Sequence, residues 1–211
     1  LLVNARKGDL ISIEYTGRVA SSGAVFDTTS EEIAKLAGIF DPAAQYGSKL
    51  TFFGANAIIS GIEEAILTSK LGQSEEFTFS PDKAFGSRDA SLVRVLSEKE
   101  FRKQNLRPVP GMVISLDGAL ARVKSTTSGR VVVDFNHPLA GEAVTYSLKV
   151  IDVISEPAKK AEALARSLGL SATASEKGGK VTLAFQKGAD IKKVEAAKRT
   201  ILAVVPGTEF A

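Results

Sequence analysis

Residues 7–28, KGDLISIEYTGRVASSGAVFDT, decide the fold class. Within them Leu10-Ile11-Ser12-Ile13-Glu14-Tyr15 alternates apolar with polar residues, the period-two pattern of a strand with one face on a core. Leu50-Thr51-Phe52-Phe53 and Glu76-Phe77-Thr78-Phe79 repeat the pattern. Between them, Ser60 and Glu63 have the spacing of a capping box, which predicts a short helix that stops at Lys70-Leu71-Gly72. A second helix is predicted over Ser30–Ala37, ending before Gly38.

Beyond Gly86 the texture changes. Leu92–Leu96 reads as a strand, and Ser97-Glu98-Lys99-Glu100 opens a helix that ends before Pro108. After the Pro110-Gly111 turn, Met112–Leu116, Ala119–Lys124 and Arg130–Phe135 form a small antiparallel unit, joined at Asp117-Gly118 and Ser125–Gly129. Ala143–Ile154 is strand-like, and Pro157 marks a boundary. A helix over 158–168 then stops at Gly169, and Lys177-Gly178-Gly179-Lys180 makes a hairpin. The last helix, about 190–204, has Ile191, Val194, Ile201 and Val205 close to one face.

With 211 residues the chain holds one large domain or two to three small ones. It has no Cys, which removes disulfides, thiolate metal sites and a Cys nucleophile. Its one His, His137, is too few for a His-rich metal site or a triad with a His to spare, so no metal or cofactor is expected. No apolar run approaches a membrane span. The opening Leu1-Leu2-Val3-Asn4 lacks the charged start and long apolar core of a secretory leader, so a cytoplasmic location is expected. The net charge of +3 is uneven: residues 157–211 carry +5, residues 88–136 carry +4 and the remainder −6. That asymmetry points to separate modules. The cations are scattered with few aromatics between them, so nucleic acid is not an expected partner.

Four ordered blocks carry a resemblance: Tyr15-Thr16-Gly17 with Val25-Phe26-Asp27-Thr28, Ile58-Ile59-Ser60-Gly61-Ile62-Glu63-Glu64-Ala65, Leu71-Gly72-Gln73, and Ser80-Pro81-Asp82-Lys83-Ala84-Phe85-Gly86. Together they resemble an FKBP-type peptidyl-prolyl cis–trans isomerase. Val133–Gly141 with Thr145–Val150 resembles the ending of SlyD-type and archaeal long-type members, which carry an insert-in-flap domain associated with chaperone activity. The resemblance implies an α+β fold: an FKBP domain over 1–87 and 137–156, its antiparallel sheet wrapped on a short helix. A small β-rich insert domain over 88–136 and a separate C-terminal α/β domain over 157–211 complete it.

From the family pattern the catalytic residues are Tyr15, Phe26, Asp27, Ile59 and Tyr146. Ile58, Ile62 and Phe85 join the pocket wall, with Leu50 and Phe52 carried over from a strand one residue short of the usual pattern. Ile62 stands where a Trp floor is common, and Phe85 lacks the hydroxyl that many relatives offer to a substrate carbonyl. The backbone N–H of Ile59 is the other implied donor. Taken alone, these apolar residues read as core, Tyr15 as an amphipathic strand residue, Asp27 as a turn carboxylate and His137 as a hinge residue. The chemistry suits a cup. Rotating an X–Pro amide breaks no covalent bond but crosses a barrier of ~18–20 kcal/mol, so the enzyme need only bind the twisted amide better than the planar one.

The insert is rich in apolar residues for its size, and a unit of about fifty residues buries only part of them. Val95, Phe101, Leu106, Met112 and Ile114 are the expected chaperone surface. The amphipathic last helix suggests docking or a homodimer through the C-terminal domain. The expected partners are unfolded or proline-containing polypeptides, with no membrane. A non-catalytic holdase with a vestigial proline pocket is the alternative.

Overall fold

The computed structural model describes residues 2–116 and 118–211. Its contacts divide into two units, Leu1–Phe79 with Val144–Ala211, and Ser80–Ala143. The division falls at 79/80 and 143/144 where the sequence suggested 87/88 and 136/137, and it groups the C-terminal segment with the first unit. No helix among the described residues is long and apolar enough to cross a membrane.

The first unit begins with β1 (Leu10–Val19), β2 (Val25–Thr28), α1 (Glu31–Leu36), β3 (Lys49–Phe52), α2 (Ser60–Thr68) and β4 (Ser74–Phe79). In α1, Ser30 is the N-cap and its hydroxyl accepts from Ile33 N at 3.3 Å. Helix α2 starts one residue earlier than the expected capping box places it. Ile59 is the N-cap, Ser60 is already helical, and the Glu63 carboxylate accepts from Gly54 N at 3.2 Å.

The second unit contains β5 (Val93–Ser97), α3 (Glu98–Lys103), β6 (Val113–Leu116), β7 (Ala119–Thr127) and β8 (Arg130–Asp134). Its sheet runs β5-β8-β7-β6, all antiparallel. Ser97 caps α3 by accepting from Lys99 N at 3.3 Å. β7 runs three residues beyond the expected Lys124, because Ser128 and Gly129 alone, at φ +50° and +75°, close the hairpin to β8. Of the predicted Asp117-Gly118 turn, Asp117 lies outside the described residues.

The chain returns through β9 (Val144–Ile154), α4 (Pro157–Ser167), β10 (Ala172–Lys177), β11 (Lys180–Phe185), α5 (Ile191–Val204) and β12 (Glu209–Phe210). β9 pairs with the whole of β1, from Leu10↔Ile154 to Val19↔Val144, and with β4 on its other edge. The free edge of β1 is shared, by β3 along Leu10–Ile13 and by β2 along Thr16–Arg18. β12 joins β11 in parallel and was not foreseen.

The expected alternation in β1 fails at its start: Leu10, Ile11 and Ile13 are all buried. Strand neighbours point to opposite faces, so both faces must be covered there. The C-terminal segment covers one of them. Leu10, with Phe52 and Ile154, packs into a core formed by Ala161 and Leu164 of α4, Leu183 of β11 and Ile201 of α5. The apolar stripe of α5 that suggested docking or dimerisation is therefore spent inside the chain. Ile201 and Val205 are buried and Val194 packs on the same cluster, while Ile191 alone of the four is largely exposed.

A polar clasp closes this junction. Lys160 of α4 donates to Gly8 O at 2.7 Å and lies 3.6 Å from Asp9, with both side chains largely buried. Desolvation pushes the Asp9 carboxyl up, but bonds from Arg6 N and Ser155 and the charge of Lys160 outweigh it and hold the carboxyl below its ordinary range. A depressed folded value means that the stabilisation is present above the unfolded value of about 4 and is lost as pH falls through the folded one. Asp9→Asn is expected to lower unfolding stability at neutral pH by about 3 kcal/mol. Urea titrations should show this gap closing as pH falls below about 4.

Candidate functional site

Gly17 is the point around which an aromatic cup is assembled. It stands directly opposite Tyr146 of β9, and Tyr146 stands opposite Phe77 of β4. Tyr15, two residues before Gly17, shares its face. On the other side Gly17 pairs with Asp27, yet Arg18 pairs with Val25, so Phe26 is the extra residue of a β-bulge. In a regular strand Phe26 and Asp27 would point to opposite faces. The bulge lets both serve one face, and their contacts show it. Asp27 Oδ2 accepts from the Tyr15 hydroxyl at 2.7 Å, and the Phe26 ring meets Tyr146 edge-on with centroids 5.7 Å apart.

Tyr146 is the hub. Its ring is tilted against Tyr15 at 5.7 Å and against the buried Phe79 at 6.0 Å. Burial is the main cause that pushes both phenols far above their ordinary value. The Asp27 carboxylate adds to it, through a hydrogen bond and its charge for Tyr15 and through its charge for Tyr146. Both rings therefore keep their protons at every physiological pH. The Lys49 ammonium lies 3.4 Å from the Tyr15 oxygen and 5.5 Å from its ring centroid.

Four of the sequence-predicted residues are thus joined by direct contacts: Tyr15, Phe26, Asp27 and Tyr146. Ile58 and Ile59 are half-buried at the start of α2, and Ile62 is buried in its first turn. Ile59 has extended backbone (φ −60°, ψ 144°), which takes its N–H out of the helical ladder. Leu50 and Phe52 are a correction. Leu50 pairs with Ser12 and Phe52 with Leu10, which puts both on the face away from Tyr15. Phe52 packs in the C-terminal core, and Leu50 lines a groove with Ser12, Ala163 and Arg166. Lys49, paired with Ile13, takes the cup-side place instead. Phe85 belongs to the second unit, where its ring stacks on His137 at 4.5 Å.

Sequence reasoning missed Gly17, Phe79 and Lys49 as parts of this site. Gly17 was visible in the Tyr15-Thr16-Gly17 string, and Phe79 in the alternation of β4. Lys49 carried no signal, because its face depends on the pairing of β3.

The expected chaperone surface is also largely corrected. Phe101 and Ile114 are buried in the insert's own core with Ala121, Val123, Val131 and Val133, and Leu106 and Met112 pack against it. Helix α3 and the hydrophobic face of the sheet consume them. Of the five, Val95 is exposed, joined by Val109, Val113 and Leu120.

A family model described as FKBP-type peptidyl-prolyl cis-trans isomerase matches residues 3–102, and one described as FKBP26, IF domain, matches residues 94–139. A short-type peptidyl-prolyl cis-trans isomerase of Methanocaldococcus jannaschii is 34% identical over 148 residues, 70% of this chain and 93% of the relative. The SlyD isomerase of Helicobacter pylori is 32% identical over 101 residues, 46% and 55% of the two chains. An FKBP-type 16 kDa isomerase of Escherichia coli is 29% identical over 112 residues, 51% and 74%.

The close approach at Gly17 is directly testable. A Cβ there would lie 2.7 Å from Phe26 Cζ and 3.0 Å from Tyr146 Cε1. Gly17→Ala is expected to cost about 1–3 kcal/mol in urea unfolding, the usual penalty of overpacking. Adding Phe26→Leu should recover most of the loss, since the ring is the nearest obstacle.

Proposed function

The chain belongs to the FKBP-type peptidyl-prolyl cis-trans isomerases, and we propose that its rotamase step takes place in the cup of Tyr15, Phe26, Asp27 and Tyr146. The observation that carries this is the Tyr15–Asp27 hydrogen bond set among aromatic rings that crowd a side-chain-free residue. A prolyl ring is a flat apolar wedge, and aromatic walls bury it without demanding a hydrogen-bond partner. The planar amide carries more charge separation than the twisted one, so a cup low in water favours the twisted form.

Asp27 has two oxygens, and Tyr15 occupies Oδ2. The bond fixes the carboxylate at the rim, where its charge meets the polarity of the turning amide. Fixing it beforehand spares reorganisation at the moment of rotation. The N–H of Ile59, at the start of α2, is the donor for a substrate carbonyl. No step moves a proton, which accords with phenols that stay protonated.

The same reading extends to the insert. Val95, Val109, Val113 and Leu120 expose aliphatic surface on a unit whose core is already filled, and such surface holds unfolded chains without sequence choice. We assign the insert a chaperone role, unfolded or proline-containing polypeptides as clients, and the cytoplasm as the place of work.

In a prolyl-peptide assay the wild-type chain should accelerate isomerisation, and Asp27→Ala should lower kcat/KM by roughly 10–100-fold, the worth of a hydrogen bond to a charged group. Undiminished turnover in Asp27→Ala would place the chemistry elsewhere. Replacing residues 88–136 with a short glycine linker should leave turnover of the peptide intact. Proline-limited refolding of a whole protein should slow by roughly 10²-fold, the loss expected when a tethered client site is removed.

A further inference from the structure

Resting on the reading of the insert as a client-binding module, we propose that its uncovered sheet face selects extended apolar segments that carry carboxylates. The sheet has two unlike faces. Val131, Val133, Val123, Ala121 and Ile114 fill the core with Phe101 of α3. On the other face Val93, Asp134, Arg122 and Val113 form one row across the four strands, since each pairs directly with the next. The adjoining rows add Val95 beside Val132 and Leu120 beside Ser115. Val95, Leu120 and Val113 are 62%, 71% and 52% exposed.

Charge gives this aliphatic face its selectivity. A groove of about 390 Å³ on it is lined by Val113 and Leu120 together with Arg88, Arg122, Lys124 and Asp134. Asp134 is joined to Arg88 by an ion pair. The Arg122 guanidinium donates to Gly111 O, a neutral acceptor, and in the groove's lining three cations, Arg88, Arg122 and Lys124, stand against the one carboxylate of Asp134. Two cations, Arg122 and Lys124, thus flank apolar side chains in a segment whose sequence carries +4. An extended client presents alternate residues to one face. Its apolar side chains meet Val113 and Leu120 while a neighbouring carboxylate reaches Arg122 or Lys124, whereas a lysine there meets like charge. His137 also lines the groove, with one face of its ring stacked on Phe85 at 4.5 Å. A single imidazole is not the succession of rings on which single-stranded nucleic acid stacks its bases.

The test uses the full chain and three proline-free, fluorescently labelled twelve-residue peptides. They share their apolar residues and carry Glu, Gln or Lys at the alternate positions. By anisotropy at low salt, the Glu peptide is expected to bind about tenfold more tightly than the Lys peptide, the effect of two or three surface charge pairs. High salt should shrink the difference. Arg122→Glu combined with Lys124→Glu should reverse the order, and Leu120→Ser should weaken all three peptides, while turnover of a short prolyl peptide stays unchanged in both variants. Equal affinity for the Glu and Lys peptides, or an unchanged order in the reversed variant, overturns the charge selection and leaves client binding standing. Failure of all three peptides to bind overturns the client-binding reading itself. Displacement of the Glu peptide by an equal concentration of oligothymidylate overturns the choice of a polypeptide occupant.

Discussion

The close pairing of β1 with β9 at Gly17 and Tyr146 is the constraint on which the first unit turns. Tyr146 meets the rings of Tyr15, Phe26 and Phe79, and it reaches them because the residue opposite has no side chain. Any Cβ at position 17 would occupy the space of the Phe26 ring. The bulge at Phe26 then brings two consecutive side chains to one face. A bare backbone position and one extra residue together place an aromatic wall and a carboxylate side by side. The hydrogen bond from Tyr15 to Asp27 follows from that placement.

The same strands serve a second purpose on their opposite face. The C-terminal helices and β11 bury Leu10, Phe52 and Ile154, so the end of the sheet beyond the cup is covered on the side away from it. The Lys160–Asp9 clasp satisfies the polar groups at the edge of this junction, including the Gly8 carbonyl. A buried pair of this kind contributes less through its own attraction than through the cost of leaving either partner unmatched. The cup thus rests on strands held from behind.

The insert solves a different problem with the same material. About fifty residues cannot bury both faces of a four-stranded sheet, and α3 covers one. What remains is a face with aliphatic and cationic residues, which suits transient contact better than permanent packing. The apolar residues richest in signal, Phe101 and Ile114, went into the core. Exposure fell to Val95, Val109, Val113 and Leu120.

By itself the sequence determined most element boundaries, because caps, glycine stops and turn residues act over a few positions. Ser30, Ser97 and Asp190 cap their helices, and Gly178-Gly179 turns its hairpin with both residues at positive φ. Family resemblance added Tyr15, Phe26, Asp27 and Tyr146, which the fold brings together. The tertiary structure alone decided which face each strand residue took. Leu50 and Phe52 look toward the C-terminal core and Lys49 toward Tyr15, since a one-residue change of register turns every side chain over. That register is fixed by pairing with strands far away in the chain, and no local pattern carries it.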